Sequence, residues 1–167
     1  MDSPPPPPQS WSAWLRARAA RFLLFARSQT RGEADAQDLL QETLVELWRR
    51  AGGHPPDDAL VYRTLRRRAV DLARRVDRRA RREQNATPPD WWQPNPAADP
   101  TGEDDAELVR AVQTLPDPLR EVVLLKIWGG LTFRQVADTL GQPLPTVAAR
   151  YRRALDQLRG QLKEVRP

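Results

Sequence analysis

One segment limits what this chain can become. From Glu83 to Glu107 there is no Lys or Arg, five prolines interrupt the backbone, and acids stand at Glu83, Asp90, Asp99, Glu103, Asp104, Asp105 and Glu107. Such a stretch cannot bury enough apolar surface to offset the entropy of ordering it, so it reads as a flexible acidic, Pro-rich linker. Whatever folds must therefore fold on either side, as two small domains. The expected organisation is a disordered Pro-rich tail at 1–9, a helical bundle at 10–82, the linker at 83–103 and a second helical domain at 104–167. The Trp91 and Trp92 pair inside the linker suits either folding back on a domain surface or anchoring a partner.

Periodicity sets the class of each side. Ser10 can cap a helix in which Trp11, Trp14, Leu15, Arg18, Phe22 and Phe25 recur at three- and four-residue steps, predicting a helix to about Ser28. From Glu33 to Arg50, Leu39/Leu40, Thr43/Leu44 and Leu47/Trp48 repeat every four residues until Gly52 and Gly53 end the pattern, with Leu39, Leu40, Leu44 and Trp48 assigned to the core. A third helix is expected from Asp57 to about Arg82, its apolar stripe made by Leu60/Val61, Leu65, Ala69, Leu72/Ala73 and Val76.

Beyond the linker, Thr101 with Asp104 has the form of a capping box for a short helix carrying Leu108, Val109, Val112 and Leu115, stopped by Pro116. Asp117 then caps a helix with Pro118 at its first position, with Leu119, Val122, Val123 and Ile127 inward, ending at Gly129 and Gly130. Thr132 and Gln135 form another capping box, and Gly141 is placed as the C-terminal cap of that short helix. A longer helix follows from Pro145 or Thr146, with Val147, Tyr151, Ala154, Leu158 and Leu162 on its inner face. No strand pattern is found, so the fold class is all-α.

Composition excludes several functions. There is no cysteine, and the single histidine, His54, sits in a Gly-Gly-His-Pro-Pro turn with no second imidazole, so neither a metal nor a cofactor is called for. Asp35, Asp38 and Glu42 come from one helix without a histidine, which makes them a poor metal site. No apolar run is long enough to span a bilayer, and the MDSPPPPPQ start lacks the basic and apolar regions of a signal peptide; a cytoplasmic location is expected. No Gly-rich phosphate loop or Ser/His/Asp arrangement points to an enzyme or a small-molecule substrate.

The charges point instead to nucleic acid. The net charge is +5, and only Lys126 and Lys163 are lysines. A coding bias toward GC would raise arginine too, but the position of the arginines is informative. Between Ala59 and Arg82 lie ten of them against Asp71 and Asp77, and the guanidinium fork suits phosphates and base edges. A short helix, a tight Gly-containing turn and a longer basic helix is also the helix-turn-helix arrangement that places its second helix in the major groove. With Val147 and Tyr151 inward, positions 146, 149, 150, 152 and 153 face out. Thr146, Ala149, Arg150, Arg152 and Arg153 are thus the candidate readers, with Arg134 on the preceding helix positioned for a phosphate.

Two stretches together resemble one family, the small bacterial RNA polymerase sigma factors of the extracytoplasmic-function group. Asp35-Ala36-Gln37-Asp38-Leu39-Leu40-Gln41-Glu42, followed by Leu44 and Leu47-Trp48, resembles the core of the family's region two. Leu115-Pro116-Asp117-Pro118-Leu119-Arg120-Glu121-Val122, followed by Gly130-Leu131-Thr132 and Pro145-Thr146-Val147-Ala148-Ala149-Arg150, resembles region four. The resemblance implies that Asp35, Asp38, Gln41 and Glu42 dock on core RNA polymerase. It implies that Arg63, Arg66, Arg67, Arg74, Arg75 and Arg78 hold promoter DNA near the start site, where a pocket accepts an unstacked base. In the family that pocket is largely made by the loop before the third helix, here Gly52 to Asp58. Arg67 stands where the family usually has Asn, and Ala148 where Lys is common. The linker would thread toward the polymerase's active channel, and partners would be core polymerase, promoter DNA and, as for many relatives, an inhibitory anti-sigma protein. The competing expectation is an autonomous helix-turn-helix regulator that binds DNA without polymerase, its first bundle serving for dimerisation.

Overall fold

A computed structural model of the chain describes residues 10–82 and 103–165. The proline tract, the Trp91 and Trp92 pair, almost all of the acidic linker and Thr101 of the expected capping box lie outside the described residues. Within them the backbone is helical and contains no strand.

Three helices build the first group. Helix α1 spans Trp11–Gln29, and the Ser10 hydroxyl accepts from the Ala13 amide at 3.3 Å, the cap its sequence calls for. Helix α2 spans Glu33–Arg50 and α3 spans Asp58–Arg82. Trp14, Phe22, Phe25, Leu39, Leu47, Val61, Tyr62 and Leu65 are buried between them. The Tyr62 ring meets Phe22 and Phe25 edge-on at 5.1 and 5.3 Å, and each such aromatic pair adds about 0.5–1.5 kcal/mol beyond its buried area. Its hydroxyl has no hydrogen-bond partner among the described residues, and burial pushes the phenol above its ordinary pKa. Arg18 closes the bundle edge by donating from Nε to Asp58 at 2.8 Å.

The apolar stripes differ from the sequence expectation at their ends. Trp48 is 58% exposed rather than in the core, because it stands on the same outer face of α2 as exposed Gln41 and Val45, while Leu47 beside it is buried. Leu60 and Val76 at the two ends of the α3 stripe are likewise exposed, while Val61, Leu65 and Ala69 between them are buried. Periodicity records which way a side chain points, not whether anything stands opposite.

The second group is α4 (Glu103–Gln113), α5 (Asp117–Val123), α6 (Phe133–Leu140) and α7 (Leu144–Val165). Buried Arg120 ties α4 to α5, its Nη2 donating to the Gln113 and Leu115 carbonyls at 2.9 and 2.8 Å. These are groups a helix end leaves orphaned. After Val123 the helix widens into a π turn, Leu124–Trp128, which periodicity did not foresee. The widening rotates Ile127 outward, so it is exposed rather than inward as expected. It also brings the Leu125 carbonyl so close to Gly129 that a Cβ there would stand 2.4 Å from the oxygen.

The two groups pack against each other. Helix α3 lies against α6, and α1 lies against α5 and the π turn, so buried residues from Trp14 to Leu158 form one hydrophobic cluster. At the junction Arg21 donates to the Trp128 carbonyl at 3.4 Å, and Gln29 donates to Glu121 at 2.9 Å.

Candidate nucleic-acid interface

The helix-turn-helix forms as its turn chemistry dictates. The Thr132 hydroxyl accepts from the Gln135 amide at 3.2 Å, and the Gln135 side chain accepts from the Thr132 amide at 2.9 Å. Gly141 ends α6 with φ 62°, a left-handed conformation that favours glycine. Val147, Ala154 and Leu158 are buried on the inner face of α7, and half-buried Tyr151 meets Phe133 edge-on at 5.3 Å. Lys126 lies 4.9 Å over the Phe133 ring and donates to the Leu131 carbonyl, fixing the entry to α6.

That anchoring settles where the candidate readers stand. Arg134, Ala149, Arg152 and Arg153 are exposed, and Thr146 and Arg150 are half-buried. Arg150, Arg152 and Arg153 make no ion pair among the described residues. Five guanidinium donors on each are left for a phosphate or a guanine edge.

On α2, Asp35, Asp38, Gln41 and Glu42 are all exposed along one face. Exposed Val45 and Trp48 continue that face, so the acids border an apolar edge instead of standing apart from one. Trp48, placed in the core from its spacing alone, belongs here.

The α3 arginines divide into two sets. Arg63, Arg74, Arg75 and Arg78 are exposed and make no ion pair among the described residues. Arg66, Arg67 and Arg68 each face a carboxylate. Arg68 sits 2.6 Å from Glu46 and 3.0 Å from Glu42, and Arg67 sits 3.0 Å from Glu46. Arg66 Nε lies 3.4 Å from Glu121 of α5, near enough to pair but not aligned as a hydrogen bond.

Glu46 is the residue the sequence reading missed. It sits between Leu44 and Leu47 in an apolar pattern, its side chain only 14% exposed, and it also takes Arg50 at 3.0 Å. Burial by itself raises a carboxyl. Hydrogen bonds from Arg68 and Arg67 outweigh that and hold Glu46 below its ordinary value of 4.5. The available signal was its four-residue step from Glu42, which continues the acidic row toward the basic helix.

Beside this cluster the loop before α3 makes a groove lined by Leu47, Pro55, Pro56, Leu60, Arg63 and Arg67. Apolar walls with guanidinium groups at the rim suit a flat aromatic base held by its faces and edge. Among the described residues no three acidic or histidine side chains converge to hold a metal ion, and no helix is long and apolar enough to cross a membrane.

Comparison with known proteins accords with this geometry. The family described as Sigma-70, region 4 matches residues 105–158. An ECF RNA polymerase sigma factor SigE of Mycolicibacterium smegmatis is 32% identical over 162 residues, covering 92% of this chain and 62% of that protein. An ECF RNA polymerase sigma factor RpoE of Cereibacter sphaeroides is 30% identical, over 75% of this chain and 71% of the relative. Among solved structures, the sigma factor RpoE of Bartonella quintana, in complex with the anti-sigma factor NepR, shares the fold with a TM-score of 0.70. Its identity is 21%, and the match covers 92% of this chain and 96% of that one.

Proposed function

Because the chain belongs to the extracytoplasmic-function sigma factors of RNA polymerase, we propose that it binds core RNA polymerase and directs transcription initiation at particular promoters. It contributes contacts and no catalysis of its own, and acts in the cytoplasm, where the polymerase is. The exposed face of α2 carries the reading. Asp35, Asp38, Gln41 and Glu42 offer carboxylates and an amide to a basic partner, and Val45 with Trp48 adds an apolar edge that a solvated helix would not need.

The remaining roles follow from position. Arg63, Arg66, Arg67, Arg74, Arg75 and Arg78 of α3 hold the melted strand near the start site, and the groove behind Pro55 and Pro56 takes an unstacked base. Arg150, Arg152, Arg153, Thr146 and Ala149 of α7 enter the major groove of an upstream element, with Arg134 on the backbone. The first group of helices, 10–82, serves polymerase and melted DNA, and the second, 104–167, serves duplex DNA, joined through the linker at 83–103. An inhibitory protein of the anti-sigma kind, such as the one bound to the Bartonella quintana sigma factor, is a further partner this fold can take.

The test is direct binding of the purified chain to core RNA polymerase. Reversing Asp38 and Glu42 to Lys should weaken it by about tenfold or more. No binding at micromolar concentration, or binding unchanged by the reversal, rejects the proposal.

A further inference from the structure

Arg66, Arg67 and Arg68 are consecutive on α3, and each meets an internal carboxylate, while Arg63, Arg74, Arg75 and Arg78 on the same helix meet none among the described residues. The carboxylates come from two different places. Glu46 and Glu42 belong to α2, the helix with the polymerase-facing acids, and Glu121 belongs to α5 in the other group of helices. At Arg67 and Arg68 the carboxylates occupy part of the donor fork that a phosphate would otherwise use, and at Arg66 Glu121 offsets the charge from 3.4 Å.

We infer that the free chain masks its own single-strand-binding arginines, with Glu46 holding Arg67 and Arg68 and Glu121 holding Arg66 in place of DNA phosphates. The inference rests on the assignment of α3 to the melted strand. The mask is graded, since part-exposed ion pairs are weak enough for a polyanion to displace. It is also placed where assembly can lift it. A basic polymerase surface that engages Glu42 removes one of the two carboxylates on Arg68, and any separation of α5 from α3 removes Glu121 from Arg66. Gln29 donates to the same Glu121 oxygen at 2.9 Å and orients it toward Arg66, so the contact is built from three helices.

The experiment uses the full chain without polymerase and a fluorescein-labelled oligodeoxythymidine of about 20 nucleotides at about 50 mM salt, read by anisotropy. E46Q should tighten binding about fivefold and E121Q about twofold, while D138N, the same charge change on an exposed acid with no ion pair among the described residues, should move it by less than about 1.5-fold. The plot of log affinity against log salt should steepen by about 0.7 for each arginine released, hence about 0.7 to 1.4 for E46Q, in which Glu42 still faces Arg68, about 0.7 for E121Q and nothing for D138N. Adding Arg67→Ala and Arg68→Ala to E46Q should erase its gain. E46Q and E121Q are independent and near-isosteric, so either that folds, as judged by its melting curve, decides the matter. Gains no larger than that of D138N overturn the mask and leave polymerase binding standing. An absence of binding by every variant overturns both the mask and the assignment of α3 to single-stranded DNA.

Discussion

Helices α3 and α7 are both rich in arginine, yet the two present that arginine differently. On α7, Arg150, Arg152 and Arg153 make no ion pair among the described residues, and the helix is locked from behind by Val147, Tyr151 and Ala154. On α3, Arg66, Arg67 and Arg68 are answered by Glu42, Glu46 and Glu121. The difference fits two tasks. Reading a duplex needs donors held rigidly and free, because base discrimination depends on geometry. Holding a single strand needs charge, and charge can be covered until the strand exists.

The largest expected effect comes from breaking the frame that sets the two helices together. Gly129→Ala would drive a Cβ to 2.4 Å from the Leu125 oxygen beside the crevice lined by Trp14, Arg18 and Asp58. We expect a loss of about 3 kcal/mol in thermal or denaturant unfolding. A loss below about 0.5 kcal/mol would mean that the π turn is not fixed as described.

Next in size is α7, the helix proposed to read the duplex. Arg150→Ala should cost about 1–3 kcal/mol of holoenzyme affinity and relax preference at one base pair, whereas Arg74→Ala with Arg75→Ala should weaken all promoters alike and flatten the salt dependence. Selection from randomised promoter libraries separates the two patterns. A uniform loss from Arg150→Ala would erase the contrast between the helices.

A smaller effect sharpens the α3 side. The Glu46 carboxyl is held below its ordinary value of 4.5 by Arg68 and Arg67, so its ionised form is favoured by folding. The stability it supplies is therefore present above the unfolded-state value and is lost as pH falls through the folded one. Glu46→Gln should melt lower than the unaltered chain at neutral pH, by up to about 1 kcal/mol, and the gap should close in the acid range below 4.5. A gap independent of pH would place the effect in packing instead of charge.

The smallest effect concerns Trp48. Exposed as it is, Trp48→Ala should change stability by no more than about 0.5 kcal/mol, against about 3–5 for a buried aromatic, while weakening polymerase binding. Denaturant unfolding beside a polymerase-binding titration checks both halves of that expectation.

Local signals in the chain were largely sufficient for the helices. Ser10, the Thr132 and Gln135 box and Gly141 each mark a boundary by hydrogen bonding within a few residues, and the structure ends its helices there. Legibility fell where the cause lies across the fold. Trp48 and Ile127 satisfy the helical period, but nothing stands opposite them, the first because it falls on the outer face of α2 with Gln41 and Val45 and the second because a π turn shifts the phase. Glu46 shows its importance only when α3 is laid beside α2 and three guanidinium groups converge on it. The packing of the two helical groups was equally hidden, since Arg66 and Glu121 are 55 positions apart and neither is unusual in its own segment. Exposure of the α7 readers was inferable from the inward spacing of Val147 and Tyr151; the half-burial of Thr146 and Arg150 was not.

As proposed here, this chain recognises promoters only as part of RNA polymerase. Footprinting on DNA fragments selected by the reconstituted holoenzyme tests it most directly, run with the holoenzyme and with the chain alone at the same concentration. Protection over two separated elements and strand opening are expected with core polymerase present, and only weak, salt-sensitive, sequence-indifferent binding by the chain alone. The same specific footprint from the chain alone would contradict it and identify an autonomous regulator.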